Sequence, residues 1–419
     1  MSATLDACGI DFGTSNSTAG WARPGHGALL PLEDGKLTLP SVIFFNAEDE
    51  DVSYGRAAMA DYLEGYEGRL MRSLKSLLGT SMIDDHTEVM GRALPFRDLL
   101  ARFIGELKHR AERAAGREFS RAVLGRPVFF IDDDAAADRR AESTLEDIAR
   151  KAGLRDIAFQ YEPIAAAFDY ESSISREELV LVVDVGGGTS DFSLIRVGPE
   201  RAGRSERRDD ILANGGVHIG GADFDRALSL DSVMPMLGLG SPLKSGLTMP
   251  SAPYFNLATW HTINMAYSKK AWSEITELHR EARDKDKLER LQSVVRERAG
   301  HWLALQVEEA KIALSSAAQT RIDLGRIAAG AAVSLHRADL NRAIDGLVTS
   351  VEQTLGNLLR DAGVAPAALD TVFFTGGSSG VPLLRQRVLA LVPQARSVEG
   401  DLFGSIGAGL ALDARRKFG

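Results

Sequence analysis

The chain has 419 residues, 44% of them apolar and 26% charged, with 41 Gly and 14 Pro. This balance is too apolar for disorder and too regular for a collagen-like or low-complexity chain, and the length allows about two or three domains, each with a sizeable core. A formal charge of −9 without a long basic stripe argues against binding of nucleic acid or an anionic membrane, because neutralising phosphates takes clustered Lys and Arg. Arg415, Arg416 and Lys417 read as a solvated tail. The single cysteine, Cys8, cannot form an internal disulfide. The first residues, Met1 to Asp6, lack a basic region followed by an apolar stretch, and no run of about 18 apolar residues occurs, so a cytoplasmic protein is expected.

The first informative segment is Cys8, Gly9 and Ile10 leading into Asp11, Phe12, Gly13, Thr14, Ser15, Asn16, Ser17 and Thr18. It predicts a short strand, a turn of small polar residues that opens on a carboxylate, and a return strand through Ala19, Trp21 and Ala22. Pro24, Gly25, His26 and Gly27 then read as a hairpin turn before Ala28 to Leu32. A helix is expected over Ala141–Ala152, with Leu145, Ile148 and Ala149 on its apolar side and Gly153 as its cap.

The strand, Asp-x-Gly and hydroxyl arrangement then returns. Leu179 to Val183 lead into Asp184, Val185, Gly186, Gly187, Gly188, Thr189, Ser190 and Asp191, and a strand follows through Phe192 to Ile195. The five-residue apolar run predicts a strand buried on both faces, and the two copies predict two related lobes. Gly238 to Asn256, rich in Pro, Gly and Ser, reads as a loop, and Ser273 to Arg298 as an exposed, charged helix or helical hairpin. Trp302 to Ser315 carries Leu303, Val307, Ala310 and Leu314 at helical spacing. A third strand-to-glycine junction runs from Val372 through Thr375 into Gly376, Gly377, Ser378, Ser379 and Gly380, with a helix from Pro382.

Turns of glycines and hydroxyls form nests for phosphate oxygens, and one on each of two facing lobes clamps a polyphosphate from both sides. Asp11 and Asp184 open the two turns, and carboxylates beside phosphates repel unless a cation lies between them. Mg²⁺, held through one or two carboxylates and substrate phosphates, meets that demand. The chain has no Walker A pattern, which excludes the P-loop route. Phosphoryl transfer further needs a cation on the γ-phosphate and a group orienting the nucleophile, for which Lys75 and Glu162 are the candidates. Taken singly they read as a surface lysine and a first-turn helix carboxylate.

Six motifs occur in one order: Gly9-Ile10-Asp11-Phe12-Gly13-Thr14-Ser15-Asn16-Ser17, Glu162-Pro163-Ile164-Ala165-Ala166-Ala167, Asp184-Val185-Gly186-Gly187-Gly188-Thr189-Ser190-Asp191, His218-Ile219-Gly220-Gly221-Ala222-Asp223-Phe224-Asp225, Glu308-Glu309-Ala310-Lys311 with Leu314-Ser315-Ser316, and Thr375-Gly376-Gly377-Ser378-Ser379. Over nearly the whole chain this series resembles the ATPase domain of DnaK-type heat-shock chaperones, within the actin and hexokinase superfamily. The resemblance implies an α/β, two-lobed actin-like fold, each lobe a ribonuclease-H-like inner subdomain plus an outer one. Lobe I would span 1–175, with its outer part at about 39–99, completed by a helix over 402–419. Lobe II would span 176–401, with its outer part at about 227–306.

The resemblance also implies ATP or ADP with Mg²⁺, and K⁺ as a companion ion. It gives Asp11, Asp184 and Asp191 the ion sites, and Gly13, Thr14, Ser15 and Asn16 the first phosphate loop. Gly186, Gly187, Gly188 and Thr189 match the second loop, Lys75 the γ-phosphate lysine, and Glu162 the glutamate positioning water. Asp184 and Thr189 count with Lys75 and Glu162 as catalytic. Gly220, Gly221, Glu308, Lys311, Ser315, Gly376, Gly377, Ser378 and Asp401 fall to the nucleotide. Pro127 matches a proline that relays nucleotide state, with Arg139 or Arg140 as the nearby arginine.

Four departures stand out. Ile312 and Gly380 occupy the positions of two arginines that sandwich adenine in the family, a loss of roughly 1–2 kcal/mol, or about tenfold in affinity. The chain stops at Arg415-Arg416-Lys417-Phe418-Gly419, where the family continues into a peptide-binding domain, so none is expected. About 80 residues separate Asp225 from Glu308, roughly twice the usual allowance, which makes that outer subdomain the expected place for a protein partner. Asp132-Asp133-Asp134-Ala135-Ala136 lengthens a surface loop.

The expected function is a slowly hydrolysing ATPase acting as a nucleotide-dependent switch. The alternatives are a sugar-type small-molecule kinase, which the Glu162-Pro163 motif disfavours, and a non-hydrolysing actin-like scaffold, which the His218 to Asp225 motif disfavours. The eight histidines show no zinc-site spacing, and Cys8 reads as a packed residue.

Overall fold

Apolar strands buried on both faces organise the larger part of the chain. The computed structural model describes residues 7–131, 134–202, 204 and 207–419, so Asp132, Asp133 and the residues before Ala7 lie outside the described residues. Glu178–Val185 has seven of its eight residues buried, and Ala7–Asp11 is buried throughout. Each is the middle strand of a five-stranded sheet, and the two sheets are built alike.

In the first sheet, Ala7–Asp11 pairs antiparallel with Asn16–Gly20, which pairs antiparallel with Thr38–Pro40. On its other side it pairs parallel with Arg121–Arg126, and that strand parallel with Asp156–Tyr161. In the second sheet, Glu178–Val185 pairs antiparallel with Ser190–Val197, and that strand antiparallel with Ile211–Val217. On its other side stand Thr371–Thr375 and Arg396–Glu399, both parallel. The repeated Asp-x-Gly turns therefore fall at equivalent corners of two equivalent sheets.

Two helices join the sheets. Glu162–Glu171 starts with Pro163 in its first turn, where proline's fixed φ favours helix and its missing N–H is not needed. Ile164, Ala165, Ala166, Ala167 and Phe168 are all buried, in one apolar cluster with Val123 of the first sheet, Val180, Val182 and Ile195 of the second, and Leu410 and Ala414 of the helix Ser405–Phe418. The two helices cross with their backbones in contact, since a β-carbon at Gly409 would lie 1.7 Å from the Ala165 carbonyl oxygen.

The helix expected over Ala141–Ala152 begins six residues earlier and spans Ala135–Lys151. Asp134 caps it, accepting from the N–H groups of Ala136 and Ala137 at 3.0 and 2.9 Å. The last residue of the acidic run is thus a helix cap rather than loop. The return strand ends at Gly20, and Ala28 to Leu32 forms no regular strand, only a bridge from Leu29 to Gly20.

By contact density the chain divides into two units, Met1–Gly220 with Ser350–Ser379 and Leu384–Gly419, and Gly221–Thr349 with Gly380–Leu383. The second unit is mainly helical, with one hairpin of Gln319–Asp323 and Ala332–His336. Its charged stretch forms two helices, Lys269–Glu281 and Lys285–Arg296. It is not uniformly exposed: Ile275, Leu288, Leu291, Val294 and Val295 are buried, a narrow apolar stripe that the many charges hid. The loop expected over Gly238 to Asn256 includes the start of a short helix, Ala252–Leu257. No helix among the described residues is long and apolar enough to cross a membrane.

Gly409→Ala forces the joining helices apart and is expected to destabilise the protein by about 2 kcal/mol or more. Gly27→Ala, where a β-carbon meets nothing within 4 Å, is expected to be neutral. Thermal melts of the two variants check this.

Candidate active site

The equivalent corners bring the carboxylates together. Asp11 ends its strand, and Asp184 and Asp191 face each other across the second hairpin in register. All three are buried, as is Glu162 at the start of its helix. Lys75 answers them. Lys75, in the short turn Leu74–Leu77, is buried and its ammonium lies 2.5 Å from Glu162 Oε1. The preceding Ser73 holds a left-handed conformation (φ +58°), uncommon for a residue with a side chain.

The electrostatics follow from burial. Desolvation, and next the Glu162 charge, push Asp11 up to about 7. Asp191 also rises to about 7 for the same two reasons, against the Thr189 hydroxyl and the Val128 N–H, which favour its charged form. Asp184 is held well above the carboxylate range by burial and then by Glu162, Asp191 and Asp11. Burial acts to lower Lys75, but Glu162, Asp11 and Asp191 outweigh it and the ammonium is stabilised.

The two glycine turns meet. A β-carbon at Gly187 would lie 2.4 Å from Ser15 Oγ, and one at Gly188 3.0 Å from Thr14 Oγ1, so only bare backbone allows this approach. Gly220 packs on the same turn, its β-carbon position 2.5 Å from Gly188 N. Gly13, Thr14, Ser15, Asn16, Gly186, Gly187, Gly188 and Thr189 are all half-buried, with surface left for a ligand. A small cavity of about 20 Å³, enough for one water molecule, is lined in part by Thr14, Lys75, Pro127, Gly188, Thr189 and His218.

Pro127 lies at this cavity, and the following Val128 N–H donates to Asp191 at 2.6 Å, which ties the end of an inner strand of the first sheet to a carboxylate of the second. Gly376 reaches Asp184, and Ser378 N–H bonds the Val185 carbonyl at 2.9 Å. Asp401 is exposed and its carboxylate accepts from Phe403 N–H at 3.1 Å. Glu308, Lys311, Ser315 and Gly221 belong to the second unit. There Lys311 pairs with Asp225 at 2.8 Å and donates to the Gly221 carbonyl at 3.1 Å, so its charge is engaged within that unit. Ile312 is 60% exposed, and a side chain at Gly380 would meet nothing within 4 Å.

Sequence reasoning did not single out Ser76, Leu78 and Phe130, which line the cavity, because nothing in their types marks them. Adjacency to Lys75 and Pro127 was the available signal.

The donor set suits a hard cation. Asp184 Oδ1 and Asp191 Oδ2 are buried without a hydrogen-bond partner, and the donors are all oxygens. No three His, Cys, Asp or Glu side chains among the described residues converge to enclose a bare ion. Such a site fits an ion that keeps its waters and shares phosphate oxygens, as Mg²⁺ does.

Comparison with known families finds a match to the family model described as Hsp70 protein over residues 86–232 and 275–414, more than half of the chain. The break between the two stretches, 233–274, falls in the segment read as an enlarged outer subdomain, and the first phosphate turn and Lys75 precede the matched region.

The raised carboxyl pKa values set a pH dependence. Between about pH 4 and 7 the folded chain keeps protons on Asp11 and Asp191 that the unfolded chain releases, so their contribution to stability is full below about 4 and is lost as pH rises through 7. Asp11→Asn or Asp191→Asn is therefore expected to raise stability at pH 8 by on the order of 1–2 kcal/mol and to flatten its pH profile. Denaturant titrations of the metal-free protein between pH 5 and 8 measure this.

Proposed function

Because the chain belongs to the Hsp70 protein family, whose members are chaperone-type ATPases, we propose that it binds ATP with Mg²⁺, hydrolyses it slowly, and serves as a nucleotide-dependent conformational switch. The observation that carries this reading is the buried Lys75–Glu162 pair beside a cavity of one water's size, where the two glycine turns meet.

In this reading the backbone and hydroxyls of Thr14, Ser15, Gly187, Gly188 and Thr189 cradle the phosphates. Lys75, kept protonated by three carboxylates, meets the γ-phosphate and neutralises charge as it develops. Glu162 orients a water toward phosphorus and is held in place by its helix and by Lys75. Asp11, Asp184 and Asp191 would hold Mg²⁺ through its waters, and the ion supplies charge neutralisation on the phosphate oxygens. Two carboxylate oxygens without partners support a cation there.

Transfer to a sugar hydroxyl is disfavoured, since the Glu162-Pro163 motif at the start of its helix matches a water-directing glutamate. A protein partner at the peripheral segment of the second unit belongs to the same reading. Exposed Leu247, Phe255, Met265 and Trp272 in that segment support it.

Glu162→Gln is expected to keep ATP binding within a few-fold and to slow single-turnover hydrolysis by about 10²-fold or more. Lys75→Met removes the buried cation paired with Glu162 and is expected to lower hydrolysis by at least as much. Rapid-quench single turnovers with Mg²⁺ check both; wild-type rates in either variant would sink the assignment.

A further inference from the structure

The third glycine junction leads outward from the buried carboxylates. Gly376, at φ +79°, lies so near Asp184 that a β-carbon there would stand 2.4 Å from Oδ1. Ser378 N–H bonds the Val185 carbonyl, and Ser379 Oγ donates to the Gly376 carbonyl at 2.8 Å. The turn is thus fastened to the end of the strand that carries Asp184. One residue further, Gly377 is exposed, and the ring of Phe403 lies over it: a β-carbon at 377 would be 2.7 Å from Cε1 and 3.3 Å from Cζ.

Phe403 is 49% exposed, yet its backbone is fixed. Its N–H bonds the Asp401 carboxylate at 3.1 Å, and the N–H groups of Gly404 and Ser405 bond the Asp401 carbonyl at 3.2 and 3.1 Å, at the start of the helix Ser405–Phe418. A large apolar ring held on a rigid turn beside a bare glycine presents a flat surface that gains by being covered with another flat one.

We propose that Phe403 is the stacking surface for the nucleobase. The inference rests on the reading of the site as a nucleotide site. With phosphates at the Asp184 end of this turn, a base directed along the turn reaches the Gly377 end, where an aromatic plane is present. Asp401 acts as a positioning residue, because its carboxylate and carbonyl hold the turn that aims the ring. Gly377 has to lack a side chain for the ring to lie where it does.

The test is calorimetric titration of the full chain, with Mg²⁺, by ATP and separately by inorganic tripolyphosphate. Wild type, Phe403→Ala and Phe403→Trp are compared. Loss of base stacking is expected to weaken ATP binding about tenfold or more in Phe403→Ala, with tripolyphosphate binding within twofold of wild type. Phe403→Trp is expected to restore ATP affinity and to add indole emission that ATP quenches. Unchanged ATP affinity in Phe403→Ala, or equal loss for ATP and tripolyphosphate, overturns the stacking role alone. A wild-type chain that binds neither ligand overturns the nucleotide reading as well.

Discussion

Four buried carboxylates around one ammonium form the constraint on which the rest of the site depends. Asp11, Glu162, Asp184 and Asp191 are drawn from two sheets and a joining helix, and the Lys75 ammonium lies among them, paired with Glu162. Removing such charges from water is expensive unless they are paired, so the site has two ways to settle: take up protons, or take up a cation. The raised carboxyl pKa values are the first, and under the proposed function a hydrated divalent ion would be the second. A fold that buries this cluster gives up stability, as functional sites commonly do.

That cluster is possible because one architectural element occurs twice. A buried strand that ends in a carboxylate and turns through glycines appears in each five-stranded sheet, and the joining helices set the two turns face to face. The second sheet brings Asp184 and Asp191, the first brings Asp11, and each brings one glycine turn. The chemistry arises from the pairing, with Glu162 supplied by the helix that touches both sheets and Val128 N–H reaching across to Asp191.

Much of this was legible in the sequence, for identifiable reasons. The apolar runs before Asp11 and Asp184 and the glycines after them are local signals that tertiary context did not override. The approach of Lys75 to Glu162, 87 positions apart, is not local. Without the family resemblance nothing in either neighbourhood foretold it. The start of the helix Ala135–Lys151 was missed because an acidic run looks like loop, although its last member is a helix cap. The apolar stripe of Lys285–Arg296 was masked by its charges, since four buried side chains in twelve residues leave mean hydropathy low. Phe403 left no sequence signal, because an isolated Phe in a Gly-rich turn means little until its ring is found over Gly377.

The crossing of the two joining helices carries a mechanical consequence. Helices that interdigitate large side chains resist sliding, because each ridge has to climb out of its groove. Here backbone touches backbone, where Gly409 of one helix meets Ala165 of the other. Such a contact has few ridges to disengage. It yields more readily to shear along the helix axes than to separation across them, and works as a bearing rather than a clasp.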